Sequence, residues 1–388
     1  MSKGKMLIVH GGAPTAVINA SLYGAIEEAR ASGAVEKILG ARGGLSAILR
    51  GDLIDLSALP DETMAKLPAT PASFIGTSRF PVRDEEYDGL VDKLVEFGIG
   101  YLLFNGGNGS MDACWKIARA AGGRKDAAHI RVVGIPKTMD NDIAATDHAP
   151  GFGSAARYLA ASVRELAFDL ASLPIHVCIL ESMGRNSGWL TAASALAADS
   201  SPGPHLVCVP EALFDEEAFL DKARTLYDRF GGVLVVASEG LKGLDGKALV
   251  PPIFQVGRSV YYGDVSAHLC NLVIKKLGIK ARSEKPGILG RCSIAHQSPV
   301  DREEAIEAGR AAARAALAGK SGSMIGFRRT SDEPYRCGTM LIPLEEVMLR
   351  EKTLPLAYLT AEGHGVSSAY LDWCRPLLGG PFPDFAKP

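Results

Sequence analysis

The chain lacks a charge excess of either sign, a long apolar run and any paired-cysteine pattern, and each absence removes a class of function. Its 42 Lys and Arg against 44 Asp and Glu leave a formal charge of -2, so no global basic excess draws it to nucleic acid or to an anionic membrane surface. No stretch of 18 or more apolar residues occurs. The basic start MSKGKMLIVHGG is followed by too short an apolar run for a signal peptide, so neither secretion nor membrane insertion is expected. The seven cysteines, Cys114, Cys178, Cys208, Cys270, Cys292, Cys337 and Cys374, include no CxxC pair and no histidine at zinc spacing. They read as free thiols in a reducing cytoplasm. Against these absences, 388 residues at 47% hydrophobic content provide for a large core split into two domains and exclude disorder. The 43 glycines matter through their clustering.

Periodicity predicts βαβ units. MLIVH precedes the helical pattern AVINASLYGAIEEARA, YLLF precedes SMDACWKIARAA, and RVVGIP follows. After residue 152 the pattern returns: ARYLAASVRELAFDLAS as helix, HVCILES and LVCVPE as strands, EEAFLDKARTLYDRF as helix and VLVVASEG as strand. Ser298-Pro299 opens a strong helix that closes at Gly319, and the Pro/Gly-rich stretch from Arg375 reads as a wrapped or loosely ordered tail. The class is α/β with parallel sheets, so a site is expected at the carboxyl ends of the strands.

Those ends are where the glycines gather. His10-Gly11-Gly12-Ala13-Pro14-Thr15 and Asn105-Gly106-Gly107-Asn108-Gly109-Ser110 each leave a strand and enter a helix, where freed N–H groups suit an anion. Either loop alone is as readily a structural turn; two in one sheet outweigh that reading. Lys137-Thr138-Met139-Asp140-Asn141-Asp142 sets a cation, a hydroxyl and two carboxylates at a third strand end, the mixture for binding phosphate, holding a metal and taking a proton from an alcohol. Isolated, such a run is a polar turn; beside the glycine loops it reads as a site. Gly76-Thr77-Ser78-Arg79, Met183-Gly184-Arg185-Asn186-Ser187-Gly188 and Ser238-Glu239-Gly240 add arginines and a carboxylate.

In this order these segments, with an arginine-bearing stretch before SPVDREEA, resemble the phosphofructokinase family from residue 7 to about 380, and its bacterial pyrophosphate-dependent branch in particular. The resemblance implies two similar Rossmann-like parallel-sheet domains flanked by helices: 1–151 with about 291–350 binding the phosphoryl donor, and 152–290 with about 351–388 binding the sugar phosphate. It implies Mg²⁺-dependent transfer to the C1 hydroxyl of fructose 6-phosphate, with Asp140 as base, Lys137, Thr138 and Asp142 beside it, and a homodimer or homotetramer. Gly11, Gly12, Arg79, Gly107, Asn108, Gly109 and Ser110 would cradle the donor. Met183, Gly184, Arg185, Glu239, Arg282 and Arg291 would hold the sugar phosphate, with Lys285 the alternative to Arg282. Asp142 is the possible metal ligand, and Asn108 a doubtful one, since many members carry an acid there.

The resemblance leaves the donor open between ATP and pyrophosphate. Gly109 stands where pyrophosphate users carry Asp and leaves room for an ATP α-phosphate, whereas Lys137 is the pyrophosphate-type residue. ATP is slightly favoured. His176 replaces an arginine that often reaches a neighbour's sugar phosphate, which weakens fructose 6-phosphate as acceptor and keeps another acceptor, such as sedoheptulose 7-phosphate, or a non-catalytic binding role in play. Two rival motifs fail: Gly151-Phe152-Gly153-Ser154-Ala155-Ala156 does not follow an apolar strand, and Gly319-Lys320-Ser321 has Arg314 where a P-loop needs glycine.

Overall fold

A computed structural model describes residues 4–80, 82–256, 259–261 and 263–386. The first three residues of the first expected domain and the last two of the tail lie outside them. The strands are, in chain order, β1 Lys5–His10, β2 Ile38–Ala41, β3 Leu53–Asp55, β4 Ile99–Gly106, β5 Arg131–Pro136, β6 Val177–Ser182, β7 Leu206–Cys208 and β8 Val233–Ser238. They continue with β9 Phe254–Val256, β10 Ser259–Tyr261, β11 Ala281–Glu284, β12 Ser323–Asp332 and β13 Tyr335–Pro343.

The chain forms two compact units. The first runs to Thr138 and takes in Ile143–Phe152 and Arg291–Lys352; the second takes in Met139–Asp142, Gly153–Gly290 and the chain from Thr353. The run from Lys137 to Asp142 therefore crosses from one unit to the other within its own sequence.

In the first unit a seven-stranded sheet has the order β13-β12-β5-β4-β1-β2-β3. Its middle is parallel, as the βαβ reading requires, but β3 and β13 pair antiparallel at the two edges. The edges differ because β3 is only three residues long and β12–β13 is a half-exposed hairpin, a pattern with no crossover helix to announce it. Leu7, Val9, Leu102 and Phe104 face one apolar layer; Met6, Ile8, Leu103 and Ile135 face the other, as period 2 demands.

Two helices pack very closely on the second face. Ile18–Ser32 and Pro299–Leu317 meet at two glycines, where a Cβ on Gly24 would lie 2.0 Å from the Ile306 carbonyl oxygen and one on Gly309 2.0 Å from that of Ser21. Only glycine lets the backbones approach so far. The later helix starts as its sequence prescribes: Ser298 Oγ accepts from Asp301 N and Pro299 occupies the first turn. Asp301 in turn accepts from Gly151 N at 2.8 Å, which ties the segment after Asp142 to this helix.

The second unit has a wholly parallel four-stranded sheet, β11-β6-β8-β7, packed by Glu216–Phe230 and Val265–Leu277 around Val177, Ile179, Val233, Val235 and Phe219. Asp215 and Asp264 cap those helices, each accepting from main-chain N–H groups of the first turn. The tail is gripped: Arg157 donates to the carbonyls of Leu378 and Gly380, and Arg164 to that of Pro383. Among the described residues no helix is long and apolar enough to cross a membrane.

Candidate active site

In the first unit the glycine loops converge. β1 and β4 are adjacent and in register at His10 and Asn105, so both loops leave the sheet side by side; Gly11 N donates to Asn105 O at 2.9 Å. The loop bearing Arg79 joins them, since Gly12 N donates to Ser78 O at 2.9 Å and Thr77 Oγ1 donates to Gly12 O at 2.7 Å. Here the glycines are steric requirements. A Cβ on Gly11 would lie 2.4 Å, and one on Gly106 2.1 Å, from Ser110 Oγ. Gly107 caps the helix Asn108–Gly122 without a side chain, and its carbonyl accepts from the N–H groups of Ser110 at 2.8 Å and Met111 at 3.0 Å. Around Gly109 the space is open: a Cβ there would meet nothing within 4 Å. Arg79 is exposed.

Lys137 reaches this cluster. It is buried, its N–H donates to Gly106 O at 3.0 Å, and Nζ donates to Ala13 O at 2.6 Å. Thr138, also buried, is held by main-chain pairing with Pro150 and Gly151. His10, for which the motif reading had no role beyond its place in the loop, is wholly buried beneath it; burial first, and then the Lys137 charge, pull its pKa down to about 3. Its Nδ1 meets Ser73 Oγ at 2.7 Å while Nε2 has no hydrogen-bond partner among the described residues. The buried side chain of Asn105, its neighbour on β4, has none either.

The second unit brings together Asp140, Gly184, Arg185, Ser187 and Glu239. Asn141, between the two half-buried carboxylates, turns the chain at φ 54°, and Ser187 Oγ donates to the Asp140 carbonyl at 3.5 Å. Glu239 Oε1 accepts from the N–H groups of Gly184 and Arg185 at 3.2 and 3.3 Å. Burial pushes the Glu239 pKa up, and those two N–H groups offset part of the rise. Arg185 sits at φ 50°, and a Cβ on Gly240 would come within 1.7 Å of its carbonyl oxygen, so the two loops are pressed backbone to backbone. Met183 lies half-buried in the same loop.

The arginine-bearing stretch is dispersed. Arg282 is exposed on the edge strand β11, in the second unit; Arg291 is half-buried and belongs to the first. Lys285, the alternative cation, forms an ion pair at 2.6 Å with the buried Glu181, whose other oxygen accepts from Ser266 N at 2.9 Å. Sequence reading did not find Glu181: it looked like one more residue of an apolar strand. Nor did it find Glu211, which accepts from Gly188 N at 2.9 Å and Leu354 N at 2.7 Å and so fixes the far end of the Met183–Gly188 loop. His176 is buried, and its pKa is lowered by burial first and then by Arg282 and Lys280.

One group in the first unit, His148, Glu304 and Cys337, brings His, carboxylate and thiol atoms within 4.8 Å of one another. It is already filled by charge pairing: His148 contacts Asp147 at 2.8 Å and Glu304 at 2.6 Å, and Arg329 and Tyr335 complete the network.

A two-unit α/β chain with glycine-lined strand ends around a lysine, and a carboxylate-and-arginine loop cluster beside an Asp-Asn-Asp turn, defines a phosphoryl-transfer architecture. The phosphofructokinase family model matches residues 5–316, and the chain belongs to that family. It is 37% identical over 395 residues, 99% of this chain and 93% of the relative, to pyrophosphate–fructose 6-phosphate 1-phosphotransferase of Xanthomonas campestris. It is 32% identical over 381 residues, 97% and 96% of the two chains, to sulfofructose kinase of Alkalicoccus urumqiensis. The solved pyrophosphate-dependent phosphofructokinase of Marinobacter aquaeolei superposes with a TM-score of 0.87 at 35% identity, covering 98% of this chain and 94% of that one.

Proposed function

We propose that this protein transfers the terminal phosphoryl group of a polyphosphate donor to the C1 hydroxyl of fructose 6-phosphate. The observation that carries the reading is Lys137: a buried ammonium delivered to the Gly11–Ala13 loop, three residues ahead of Asp140 in the same short run. The first unit cradles the donor at the loops of Gly11, Gly12, Gly107, Asn108, Gly109 and Ser110, with Lys137 and Arg79 neutralising its oxygens. The second binds the sugar through Met183, Gly184, Arg185 and Glu239, with Arg282 as its phosphate cation. The C1 oxygen attacks the terminal phosphorus, the bond from phosphorus to the leaving oxygen breaks, and Asp140 takes the hydroxyl proton. Thr138 orients that hydroxyl.

Magnesium fits the chemistry of the donor set. Asp142, beside the Asn141 turn, offers the hard carboxylate oxygen that such an ion takes, and the Asn108 amide offers a neutral oxygen in the donor loop. Bound Mg²⁺ would neutralise charge on the donor phosphates, and Asp142 is the residue that would hold it. Cytoplasmic location and assembly as a homodimer or homotetramer go with the reading.

The open space at Gly109 supports ATP as donor. Pyrophosphate is the competing donor, supported by Lys137 and by the relatives named for it. Mixing the protein with fructose 6-phosphate, Mg²⁺ and either donor and following fructose 1,6-bisphosphate separates the two, and product with neither overturns the reading. In that assay Asp140→Ala abolishes turnover and leaves sugar-phosphate binding intact; near-normal turnover would remove Asp140 from its role. Gly109→Asp penalises ATP more than pyrophosphate, and an equal loss with both refutes the steric account. A second acceptor reading, a sulfofructose, rests on His176: near neutrality this residue is uncharged where the resemblance expects arginine, and a sulfonate carries one charge fewer to balance than a phosphate.

A further inference from the structure

The second unit contains a cavity of about 540 Å³ away from the loops just described, walled by Arg164, Leu196, Asp199, Ser200, Arg375 and Phe382. Its volume lies in the range of small-molecule sites, roughly 300–1,000 Å³. The unusual member of its lining is Arg164, only 2% exposed. Nη2 donates to the Pro383 carbonyl at 2.8 Å, and the guanidinium lies 5.0 and 4.6 Å from the ring centroids of Phe382 and Phe385. Nε is buried with no acceptor, and no carboxylate among the described residues pairs with this arginine.

A guanidinium carries five N–H donors, and its burial without a counter-ion is unfavourable. Aromatic faces recover only part of that. Nothing in the phosphotransfer reading uses this charge. The other cation in the wall, Arg375, is already paired with Asp199, and Asp384 adds a further negative charge to the lining. The two cations and two carboxylates of the wall balance, so a dianion would leave two negative charges in excess, with Asp384 repelling it and only the guanidinium of Arg164 free of an ion pair to oppose it. A single negative charge matches Arg164, and Leu196, Pro376, Leu378 and Phe382 leave the rest of the space apolar.

We propose that this cavity is a binding site for a small organic monocarboxylate with an apolar body, anchored by Arg164. The carboxylate accepts from the guanidinium edge, and the body packs under the Pro381–Phe382 segment of the tail.

The test uses the full chain and benzoate as probe, with benzyl alcohol as its neutral counterpart, followed by ligand-observed NMR and thermal melting. Benzoate binds saturably and raises the melting temperature, and benzyl alcohol does neither. Ser200→Trp, which fills the cavity from its rim and leaves Arg164 in place, abolishes binding, and Arg164→Lys weakens it by about tenfold or more. Absence of saturable benzoate binding, or binding unchanged in Ser200→Trp, overturns the proposal. Displacement of benzoate by inorganic phosphate at comparable concentration overturns its monoanion assignment. Since Arg164→Lys perturbs a buried position, Ser200→Trp decides the outcome if that variant does not fold.

Discussion

In the function proposed above, the loop clusters of the two units solve the same problem, an anionic ligand on a nearly neutral protein, by opposite means. The first relies on main chain: at Gly11 and Gly106 nothing larger than glycine fits, since a Cβ would come within 2.4 and 2.1 Å of Ser110 Oγ. The second relies on side chains whose placement is secured by other side chains, with Glu239 and Glu211 pinning the loop that carries Arg185. In the first the sensitive operation is therefore adding an atom, and in the second it is removing a charge.

The largest effect expected from this contrast is at Gly106. Gly106→Ala sets a Cβ 2.1 Å from Ser110 Oγ, and the shift of the helix start that follows lowers kcat/KM for the donor by about 100-fold or more, with a stability loss of roughly 1–3 kcal/mol. Donor kinetics beside a urea titration measure both; unchanged donor kinetics would mean that the main chain there does not meet the ligand.

Next is Glu239→Gln, which keeps an acceptor for Gly184 and Arg185 N–H and removes only the charge. The KM for the sugar phosphate rises about tenfold and that for the donor stays put. An equal rise in both would erase the division between the units.

The smallest effect is a pair of pH limbs that extends the comparison to two histidines of the first unit. His10 lies under the ligand loop without full hydrogen bonding, its pKa lowered to about 3 from 6.5. His148 lies far from such need: burial lowers its pKa, but Glu304 and Asp147 outweigh burial and hold it at about 9. For His10 the unfolded chain takes up the proton first, so its contribution is present above pH 6.5 and is lost as pH falls toward 3. For His148 the folded chain holds the proton longer, so its contribution is present below pH 6.5 and is lost as pH rises through 9. Urea midpoints across pH show an acid limb flattened in His10→Asn and an alkaline limb flattened in His148→Gln. The same limb vanishing in both variants would contradict the separation.

Much of the site was legible because its signals are local. A glycine pair at the end of an apolar run, a serine followed by proline, and a lysine three residues before an aspartate each depend on neighbours within one turn of chain, and β1, β4, β5 and the helix Pro299–Leu317 stand where such signals put them. The antiparallel edges were not legible because β3 is only three residues long and β13 returns on β12 through a tight turn, and the roles of Glu181 and Glu211 were not because each depends on residues distant along the chain: Lys285 for one, Gly188 and Leu354 for the other.

Sequence by itself determined the class of fold, the places where glycine-rich loops leave the strands and the family, since these rest on short-range backbone chemistry and on the order of motifs. Tertiary structure decided which cations are already paired. Lys285 is bound to a carboxylate, while Arg164 is buried with aromatic rings and a carbonyl for company. Composition counts both alike in a net charge of -2, because charge is additive along a chain whereas its balance depends on what lies within a few ångströms in space.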